Sequence, residues 1–350
     1  MNAHLLRLSG VPGSPYTRKM AALLRYRRIP FQLIPSSNGA PGLPRAKPHL
    51  LPTFYLPDAQ GQVQAVTDST PLIRRFEAEF AGRSVIPSSP ALGFIDALLE
   101  DFADEWLTKA MFHYRWSYAP DIDKAARILA TWLQPLASDE QLQHYAQLVS
   151  SRQIDRLRYV GSNPQTTPII EAGYQRVLQT MEAHLRDHPF MMGARPGACD
   201  FALYGQLTQL VQFDPTPMAV AVALAPRVCG WVGVAEDLSG IEVTDTDWLA
   251  GDALPATLLA LLHEVGRLYA PLLLANAQAL QAGQAEFTAK VDGQAWTQQV
   301  FSYQAKCWTW LRRDYQALER SERQRVDQWL LGTGCEVLFK DEAEHRPWPV

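Results

Sequence analysis

The hydrophobic pattern of this 350-residue chain changes near residue 90, and that change constrains the possible folds more than any other feature. Before residue 90, short apolar runs bounded by glycine and proline alternate with helical patterns, which predicts strands and helices in turn. From there to about residue 235, nearly every segment has apolar residues at the spacing of an amphipathic helix. We therefore expect an α/β unit followed by a helical bundle.

The first 83 residues predict a strand, a helix, a second strand, a hairpin and a closing helix, in that order. The apolar run in "HLLRLSG" is the first strand, and Ser14 and Pro15 are the N-cap and first residue of the helix after it. "TFYLPDAQGQVQAV" is typical of two antiparallel strands joined by a turn. "DSTPLIRRFEAEF" predicts the closing helix.

Residues 240–350 predict a mostly helical extension with one β-hairpin near residues 286–299. The dipeptide Asp292-Gly293 suits a two-residue type I′ turn at the tip of this hairpin. In that register one face of the hairpin is apolar and needs cover, most simply from the helical region before it. That face carries Phe287, Ala289, Val291 and Trp296. We therefore divide the chain into units at 1–83, 90–235 and 240–350.

Charge and composition argue against several classes of partner. The formal net charge is -4, so no overall positive field draws the chain to nucleic acid or to an anionic membrane. Basic residues in "TRKMAALLRYRRIP" are expected to form a solvated helix face. No window approaches the ~20 apolar residues that span a bilayer.

Cysteine usage and the N-terminus indicate a cytoplasmic protein without a metal centre. The four cysteines are widely spread and form no CxxC pair, which is typical of free thiols in a reducing compartment. No HExxH motif is present, and no histidine lies near a cysteine at metal-ligand spacing. The first residues lack the apolar core and cleavage site of a secretory signal.

Three local motifs follow one another in the first unit. Ser14-Pro15-Tyr16-Thr17 lies at a strand-to-helix junction, Leu51-Pro52 directly precedes the strand "TFYL", and Asp68-Ser69-Thr70-Pro71 opens the closing helix. Their order and spacing resemble the N-terminal thioredoxin-like domain of the glutathione transferase family. The segment "HPFMMGARPGACDFALYGQL" resembles a core segment of the family's helical domain. The resemblance covers residues 1 to about 235, and the extension lies beyond it.

This resemblance implies an N-terminal α/β thioredoxin-like domain, an all-α second domain and a binding site for glutathione. The bond before Pro52 is cis in the family, which exposes the backbone of Leu51 for pairing with an extended peptide. Asp68 and Ser69, at a helix N-terminus, would hold the ammonium and carboxylate groups of the γ-glutamyl end. The glycine carboxylate would lie near Lys47, with Arg45 as a second basic residue in the same segment.

Ser14 is the candidate catalytic residue. A helix N-terminus favours the thiolate of glutathione, and a hydrogen bond from the serine hydroxyl would add roughly 1.5–3 kcal/mol. The competing interpretation is an N-cap alone, which contributes ~1 kcal/mol to helix stability. Serine here, where the omega-like classes carry cysteine, argues against thiol–disulfide exchange.

The electrophile would lie against the first long helix of the second domain. Tyr16 and three residues of that helix, Trp106, Ala110 and His113, are the candidate pocket residues. Ordinary packing between helices is an equally good explanation for each of them. Asp200 is expected to cap a core helix, although Gly197 stands where the family has serine.

The sequence thus predicts a cytoplasmic glutathione transferase that uses glutathione as co-substrate and conjugates small apolar electrophiles, as in detoxification. The resemblance further implies a homodimer, and neither nucleic acid, membrane nor metal is an expected partner. Two alternatives stay open. One is a non-catalytic binding or assembly protein with the same fold, and the other is a glutathione-dependent reductase or dehalogenase.

Overall fold

The computed structural model describes residues 5–36, 39 and 41–340. Its first unit contains, in chain order, β1 Leu6–Gly10, α1 Pro15–Tyr26, β2 Phe31–Pro35, β3 Thr53–Pro57, β4 Val63–Val66 and α2 Ser69–Glu79. The four strands form one mixed sheet in the order β2-β1-β3-β4. β1 pairs parallel with β2 and antiparallel with β3, and β3 pairs antiparallel with β4. This confirms the thioredoxin-like arrangement.

Helix α1 packs on the sheet through the apolar positions that its spacing predicted. Met20, Leu23 and Leu24 are fully buried, together with Leu8 of β1 and Phe54 of β3. Burial of such side chains contributes about 1.5–3 kcal/mol each relative to exposure. The N-terminus of α1 is thereby held at the carboxyl end of β1, where the candidate site lies.

A helical region follows the first unit. Its helices are α3 Pro90–Phe102, α4 Thr108–Ser117, α5 Ala119–Leu133, α6 Asp139–Asp155, α7 Thr167–His184, α8 Ala198–Leu207, α9 Pro215–Leu224 and α10 Pro226–Ala235. A π-helical turn, Ala103–Leu107, joins α3 to α4, and a second one, Thr208–Phe213, follows α8. The first long helix expected in the second domain is therefore present, and the turn Ala103–Leu107 widens it locally. Periodicity alone does not reveal such a turn, because one added residue shifts the pattern only slightly.

The C-terminal extension is mostly helical with one hairpin, as predicted. It contains α11 Ala256–Glu264, α12 Ala270–Gln281, β5 Glu286–Val291, β6 Gln294–Gln299, α13 Ser302–Ala317 and α14 Arg320–Leu330. β5 and β6 pair antiparallel and form a separate two-stranded sheet. The turn residues Asp292 and Gly293 have φ angles of 49° and 77°, as a type I′ turn requires.

The apolar face of the hairpin packs back onto the helical region. Val291 and Trp296 are fully buried. Gln298 lies on the same face, donates through Nε2 to the Tyr159 carbonyl at 3.0 Å and accepts from Lys109 Nζ at 3.0 Å. The expected cover for this face is thus present.

The extension shares one continuous hydrophobic core with the rest of the protein. The ring of Phe94 in α3 lies 5.7 Å from the ring of Tyr315 and 5.1 Å from that of Phe339, between centroids. Phe102 meets Tyr269 edge-on at 6.1 Å. Apolar packing thus crosses the boundary that we predicted between residues 235 and 240. The division of the chain into units at 1–83, 90–235 and 240–350 therefore stays a prediction.

One helical stretch corrects the expectation that no segment is long and apolar enough to cross a membrane. Residues Ala256–Gln281, which include a π-helical turn, span 26 residues and pass that test by length and composition. Of the apolar window, 61% is buried inside the fold. The same test of length and composition is also met by two consecutive helices, Pro215–Leu224 and Pro226–Ala235, if they are counted as one broken span. The two helices are bent by 116° relative to each other. Core helices of soluble proteins have the same properties.

Candidate active site

Ser14 caps helix α1 and lies in a tightly held loop. Its Oγ accepts a hydrogen bond from the Thr17 backbone N–H at 3.2 Å, and its φ of -96° and ψ of 115° are those of an N-cap residue. The side chain is half-buried. A hydroxyl that accepts one hydrogen bond still has its hydrogen to donate. Capping and donation to a thiolate are therefore compatible.

A buried ion pair holds the loop before Ser14. The Arg115 guanidinium donates to both carboxylate oxygens of Asp214 at 3.0 Å and to Gln209 Oε1 at 2.8 Å. Arg115 also donates to the Gly13 carbonyl at 3.4 Å, and Gln209 Nε2 donates to the Pro12 carbonyl at 3.2 Å. Sequence reasoning missed this network, because a lone arginine within an aromatic helix carries no local signal of its partners.

Tyr16 binds the π-helical turn between α3 and α4. Its hydroxyl donates to the Asp104 carbonyl at 2.8 Å and lies 3.0 Å from Thr108 Oγ1. Burial, together with the carboxylates of Glu105 and Asp104, raises the pKa of Tyr16 well above its ordinary value. Tyr16 is therefore a neutral phenol that joins the first unit to the helical region.

Lys19 is the buried centre of a polar cluster between the two regions. It is fully buried, and its Nζ donates to Glu100 Oε1 at 2.7 Å, Asp104 Oδ2 at 2.6 Å and Ser69 Oγ at 3.1 Å. Burial alone would lower the pKa of Lys19, but the two carboxylates outweigh it and hold the pKa above its ordinary value. The expectation of a solvated basic face is therefore wrong for Lys19.

Arg27, in the same basic run, is also buried, and Glu77 Oε1 lies 3.1 Å from its Nη1. Two features of the sequence could have indicated the cluster around Lys19. Lys19 itself lies among the apolar positions of α1, and Glu100 and Asp104 in "EDFAD" are four positions apart, on one face of a helix.

Asp104 of this cluster and two neighbouring carboxyl groups, Asp101 and Glu105, lie in a poorly solvated setting. Burial raises the pKa of Asp104 to about 6, of Asp101 to about 7 and of Glu105 to about 8. Asp101 accepts a hydrogen bond from the Tyr269 hydroxyl at 2.7 Å, and Glu105 accepts one from Gln304 Nε2 at 3.2 Å. Both donors belong to the C-terminal extension. Among the described residues, no group of three or more acidic, histidine or cysteine side chains is arranged to hold a metal ion.

The peptide bond between Leu51 and Pro52 is cis, as the resemblance implied. The ladders of β3 begin at Thr53 opposite Ser9 and at Phe54 opposite Val66, so neither includes Leu51. Leu51 is half-buried and Pro52 is buried. The Leu51 backbone is therefore not used for pairing within the sheet.

Asp68 and Ser69 lie at the N-terminus of α2. Asp68 has a φ of 84° and a ψ of 107°, and its side chain makes no capping hydrogen bond to the helix. Burial raises its pKa, and a hydrogen bond from Tyr303 and the charge of Lys19 oppose that rise. The Tyr303 hydroxyl and the charge of Lys19 thus act on the Asp68 carboxyl group more strongly than the Thr70 N–H at the start of α2 does.

Lys47 and Arg45 lie on the exposed segment before the cis bond. A second cis bond, between Lys47 and Pro48, follows directly. In the described part of the chain, no hydrogen bond or ion pair joins Lys47 to Ser14, Asp68 or Ser69.

The candidate pocket residues on the long helix are buried. Trp106 and Ala110 have no exposed surface, and His113 is 1% exposed. Trp106 stacks on Phe102 with ring centroids 5.4 Å apart. His113 pairs with Ser162 Oγ at 2.8 Å through Nδ1 and with Glu171 Oε1 at 3.2 Å through Nε2. In this structure these residues pack between helices and do not line an open wall.

Comparison with solved structures finds glutathione transferases at low similarity. One, from Methylobacterium radiotolerans and in complex with glutathione sulfonate, is 17% identical, covers 68% of this chain and 98% of that chain, and has a TM-score of 0.36. Another, from Rhodospirillum rubrum F11, is 14% identical, covers 73% and 98%, and has a TM-score of 0.41. A third, from Pseudomonas fluorescens Pf-5 with two bound glutathione molecules, is 15% identical, covers 67% and 89%, and has a TM-score of 0.37.

Among curated proteins, no sequence matches this chain. The match that identifies part of it is to a family model, described as "Glutathione S-transferase, N-terminal domain", over residues 8–84. These residues contain all of the mixed sheet except the first two residues of β1, together with the cis bond before Pro52 and both helix N-termini of the candidate site. The similarity to the glutathione S-transferase family that this match shows is to its N-terminal domain, and it covers residues 8–84 of this chain.

Proposed function

We propose that the protein is a glutathione transferase of serine type, which adds the thiolate of glutathione to small apolar electrophiles. The observation that carries this proposal is the backbone of Asp68. A non-glycine residue at a φ of 84° stores strain of order 1–3 kcal/mol, and such strain gathers at ligand sites. It occurs here directly before a helix N-terminus, within the domain that matches the family.

The γ-glutamyl end of glutathione is assigned to Asp68 and Ser69. The Asp68 carboxylate attracts the ammonium group, and the N–H groups at the start of α2 attract the carboxylate. Lys19 donates to Ser69 Oγ, which leaves the Ser69 hydroxyl hydrogen for the ligand carboxylate. The backbone of Leu51 pairs with the central residue, and Lys47 is assigned to the glycine carboxylate.

Ser14 is assigned to the sulfur of glutathione. Its Oγ accepts the cap hydrogen bond from Thr17, so its hydrogen is available for a thiolate at the N-terminus of α1. The helix dipole and this charge-assisted hydrogen bond both favour the thiolate over the thiol. The thiolate is the nucleophile, and no further group has to be activated.

Replacement of Ser14 by alanine separates the two roles of its hydroxyl. Ser14→Ala is expected to lose about 1 kcal/mol of stability from the cap and to keep glutathione binding. It is also expected to lower the thiolate absorbance of bound glutathione and to slow conjugation of an activated chloronitroarene by about tenfold or more. Ser138→Ala is the matched control, because Ser138 caps α6 through a 3.3 Å hydrogen bond outside the site. If Ser14→Ala still formed as much glutathione thiolate as the wild-type protein, Ser14 would act only as a helix cap.

Glutathione binding without conjugation is a second candidate, and burial of the predicted pocket residues favours it. Trp106, Ala110 and His113 leave no apolar wall for an electrophile in this structure. Calorimetric titration with glutathione, followed by turnover assays with several electrophiles, distinguishes the two functions. Tight binding with no turnover would support the binding protein.

Location and assembly are proposed with the function. A homodimer is proposed from the resemblance. Light scattering should then give a molecular mass twice that of one chain. Cytoplasmic detoxification is proposed from the conjugation chemistry and from the free state of all four cysteines.

A further inference from the structure

We propose that Tyr303, in the C-terminal extension, is a positioning residue of the γ-glutamyl site. Its hydroxyl orients the Asp68 carboxylate toward the ammonium group of glutathione. This role rests on the proposed function, and it makes the extension part of the ligand site.

The contact between the two residues spans most of the chain. The Tyr303 hydroxyl donates to Asp68 Oδ1 at 2.9 Å, across 235 residues of sequence. One carboxylate oxygen is thereby held, and Oδ2 is left as an acceptor for an ammonium group. The Tyr303 hydroxyl therefore contributes most of the hydrogen bonding that directs the Asp68 side chain, and the Thr70 N–H at the start of α2 acts more weakly on the same carboxylate.

Helix α13, which carries Tyr303, is anchored close to this contact. In α12, the fully buried Asn276 accepts from the Phe301 N–H at 2.7 Å and donates to the Phe301 carbonyl at 2.9 Å. Gln304, next to Tyr303, donates to Glu105. One turn later Trp308 Nε1 donates to the Leu338 carbonyl at 3.0 Å. A donor held this firmly loses little entropy when the ligand binds.

Two described lysines act on Asp68 through their charge, Lys19 and Lys306, but neither donates a hydrogen bond to its carboxylate. Lys19 directs its three hydrogens to Ser69, Glu100 and Asp104 and therefore has none for Asp68. Lys306 lies 4.7 Å from the centre of the Trp310 ring. The charged and titratable groups that act on Asp68 or Tyr303 are Lys19, Asp104, Glu105, Lys306 and Cys307.

The experiment compares two ligands on Tyr303→Phe, which keeps the ring and removes the hydroxyl. Calorimetric titration uses S-methylglutathione, which has no titrating thiol, and its analogue without the γ-glutamyl amino group. We expect about tenfold weaker binding of S-methylglutathione, equal to about 1.4 kcal/mol, and unchanged binding of the analogue.

Tyr269→Phe is the matched control. It also removes a tyrosine hydroxyl of the extension that donates to a carboxylate of the α3 region, Asp101, at 2.7 Å. It lies outside the proposed ligand site, so the affinity for S-methylglutathione should stay at the wild-type value. Equal weakening in both variants would indicate a structural effect and would overturn the positioning role.

A pH series adds a readout that structural damage would not move. Burial raises the pKa of Asp68, and the Tyr303 hydrogen bond opposes that rise. Without this hydrogen bond the pKa of Asp68 rises further, so the acid-side loss of S-methylglutathione binding should move to higher pH in Tyr303→Phe.

The other outcomes are equally decisive. Tighter binding by Tyr303→Phe would show that Tyr303 competes with the ligand, and equal loss for both ligands would show that it does not act on the ammonium group. Either result overturns the positioning role while glutathione binding stands. Absence of binding by the wild-type protein would instead overturn the proposed function, and the role of Tyr303 with it.

Discussion

At the scale of single residues, the N-terminus of α8 shows how a missing cap is replaced from elsewhere in the chain. Gly197 has no side chain to cap the helix, and the Asp96 carboxylate accepts from the N–H groups of Ala198 at 3.2 Å and Cys199 at 3.1 Å. Asp200 accepts from the N–H groups of Met191 and Gly197, both at 2.9 Å. Asp200 thus has the structural role that the sequence predicted.

Restoring serine at residue 197 should therefore destabilise the protein. A Cβ on Gly197 would collide with Asp96 Oδ1, and overpacking of this kind costs typically 1–3 kcal/mol. Chemical denaturation of Gly197→Ser is the measurement, with the free energy of unfolding as readout. In an Asp96→Ala background the same serine should be neutral or stabilising, because space and unpaired N–H groups are then present. A stabilising Gly197→Ser in the wild-type background would contradict this account.

The candidate site was predictable in its local parts. Ser14 and Asp68 both precede helices, and helix N-termini are visible in sequence because capping residues and proline mark them. Lys19 and Arg115 were not predictable in this way. Their burial depends on carboxylates supplied by other helices, and a lysine next to apolar residues is more often solvated.

At the scale of elements, helix α13 packs into the common core and carries Tyr303, the residue proposed to act on the ligand site. Trp308 is 4% exposed and donates to the Leu338 carbonyl at 3.0 Å. Trp308 follows Tyr303 by five residues in the same helix, so its buried side chain helps to hold the part of α13 from which Tyr303 reaches Asp68.

Trp308→Ala should cost about 3–5 kcal/mol of stability, as other truncations of large buried aromatic residues do. Thermal and chemical unfolding measure the loss. Leu331→Ala, at a side chain that is 77% exposed, is the control and should stay within about 0.5 kcal/mol. Similar stabilities for the two variants would mean that α13 does not belong to the common core.

Most elements were predictable because their type is set by local periodicity. The strand and helix order of the first unit and the hairpin turn at Asp292-Gly293 agree with the structure. The π-helical turns Ala103–Leu107 and Thr208–Phe213 were not foreseen. The first lies within a long helix and the second forms the C-terminal end of α8, and the apolar pattern continues through both, so the sequence shows no break at either turn.

At the scale of the whole molecule, buried carboxyl groups link stability to pH. Burial raises the pKa of Asp96 and Asp101 to about 7 and that of Glu105 and Asp200 to about 8. In the unfolded chain such groups titrate near about 4. The folded state therefore binds more protons between these values, and its stability falls as pH rises through that window.

The melting temperature should accordingly be lower at about pH 8 than at about pH 5, by a few degrees or more. Scanning calorimetry at matched ionic strength measures this difference. Glu105→Gln removes one of the titrating groups and keeps an acceptor for Gln304, so its melting temperature should fall less steeply with pH. A wild-type melting temperature that rises over the same range would contradict the assignment of these carboxyl groups.

The sequence by itself determined the type and order of the elements and the two helix N-termini of the candidate site, and the resemblance to the glutathione transferase family added the cis bond before Pro52 and the expectation of glutathione. These are properties of short segments, in which periodicity, proline and capping residues act on near neighbours. The tertiary structure decided which charged side chains are buried and what the extension touches. Lys19 meets Glu100 across 81 residues and Tyr303 meets Asp68 across 235. Such contacts depend on how distant helices pack, because burial and charge pairing are properties of the assembled core.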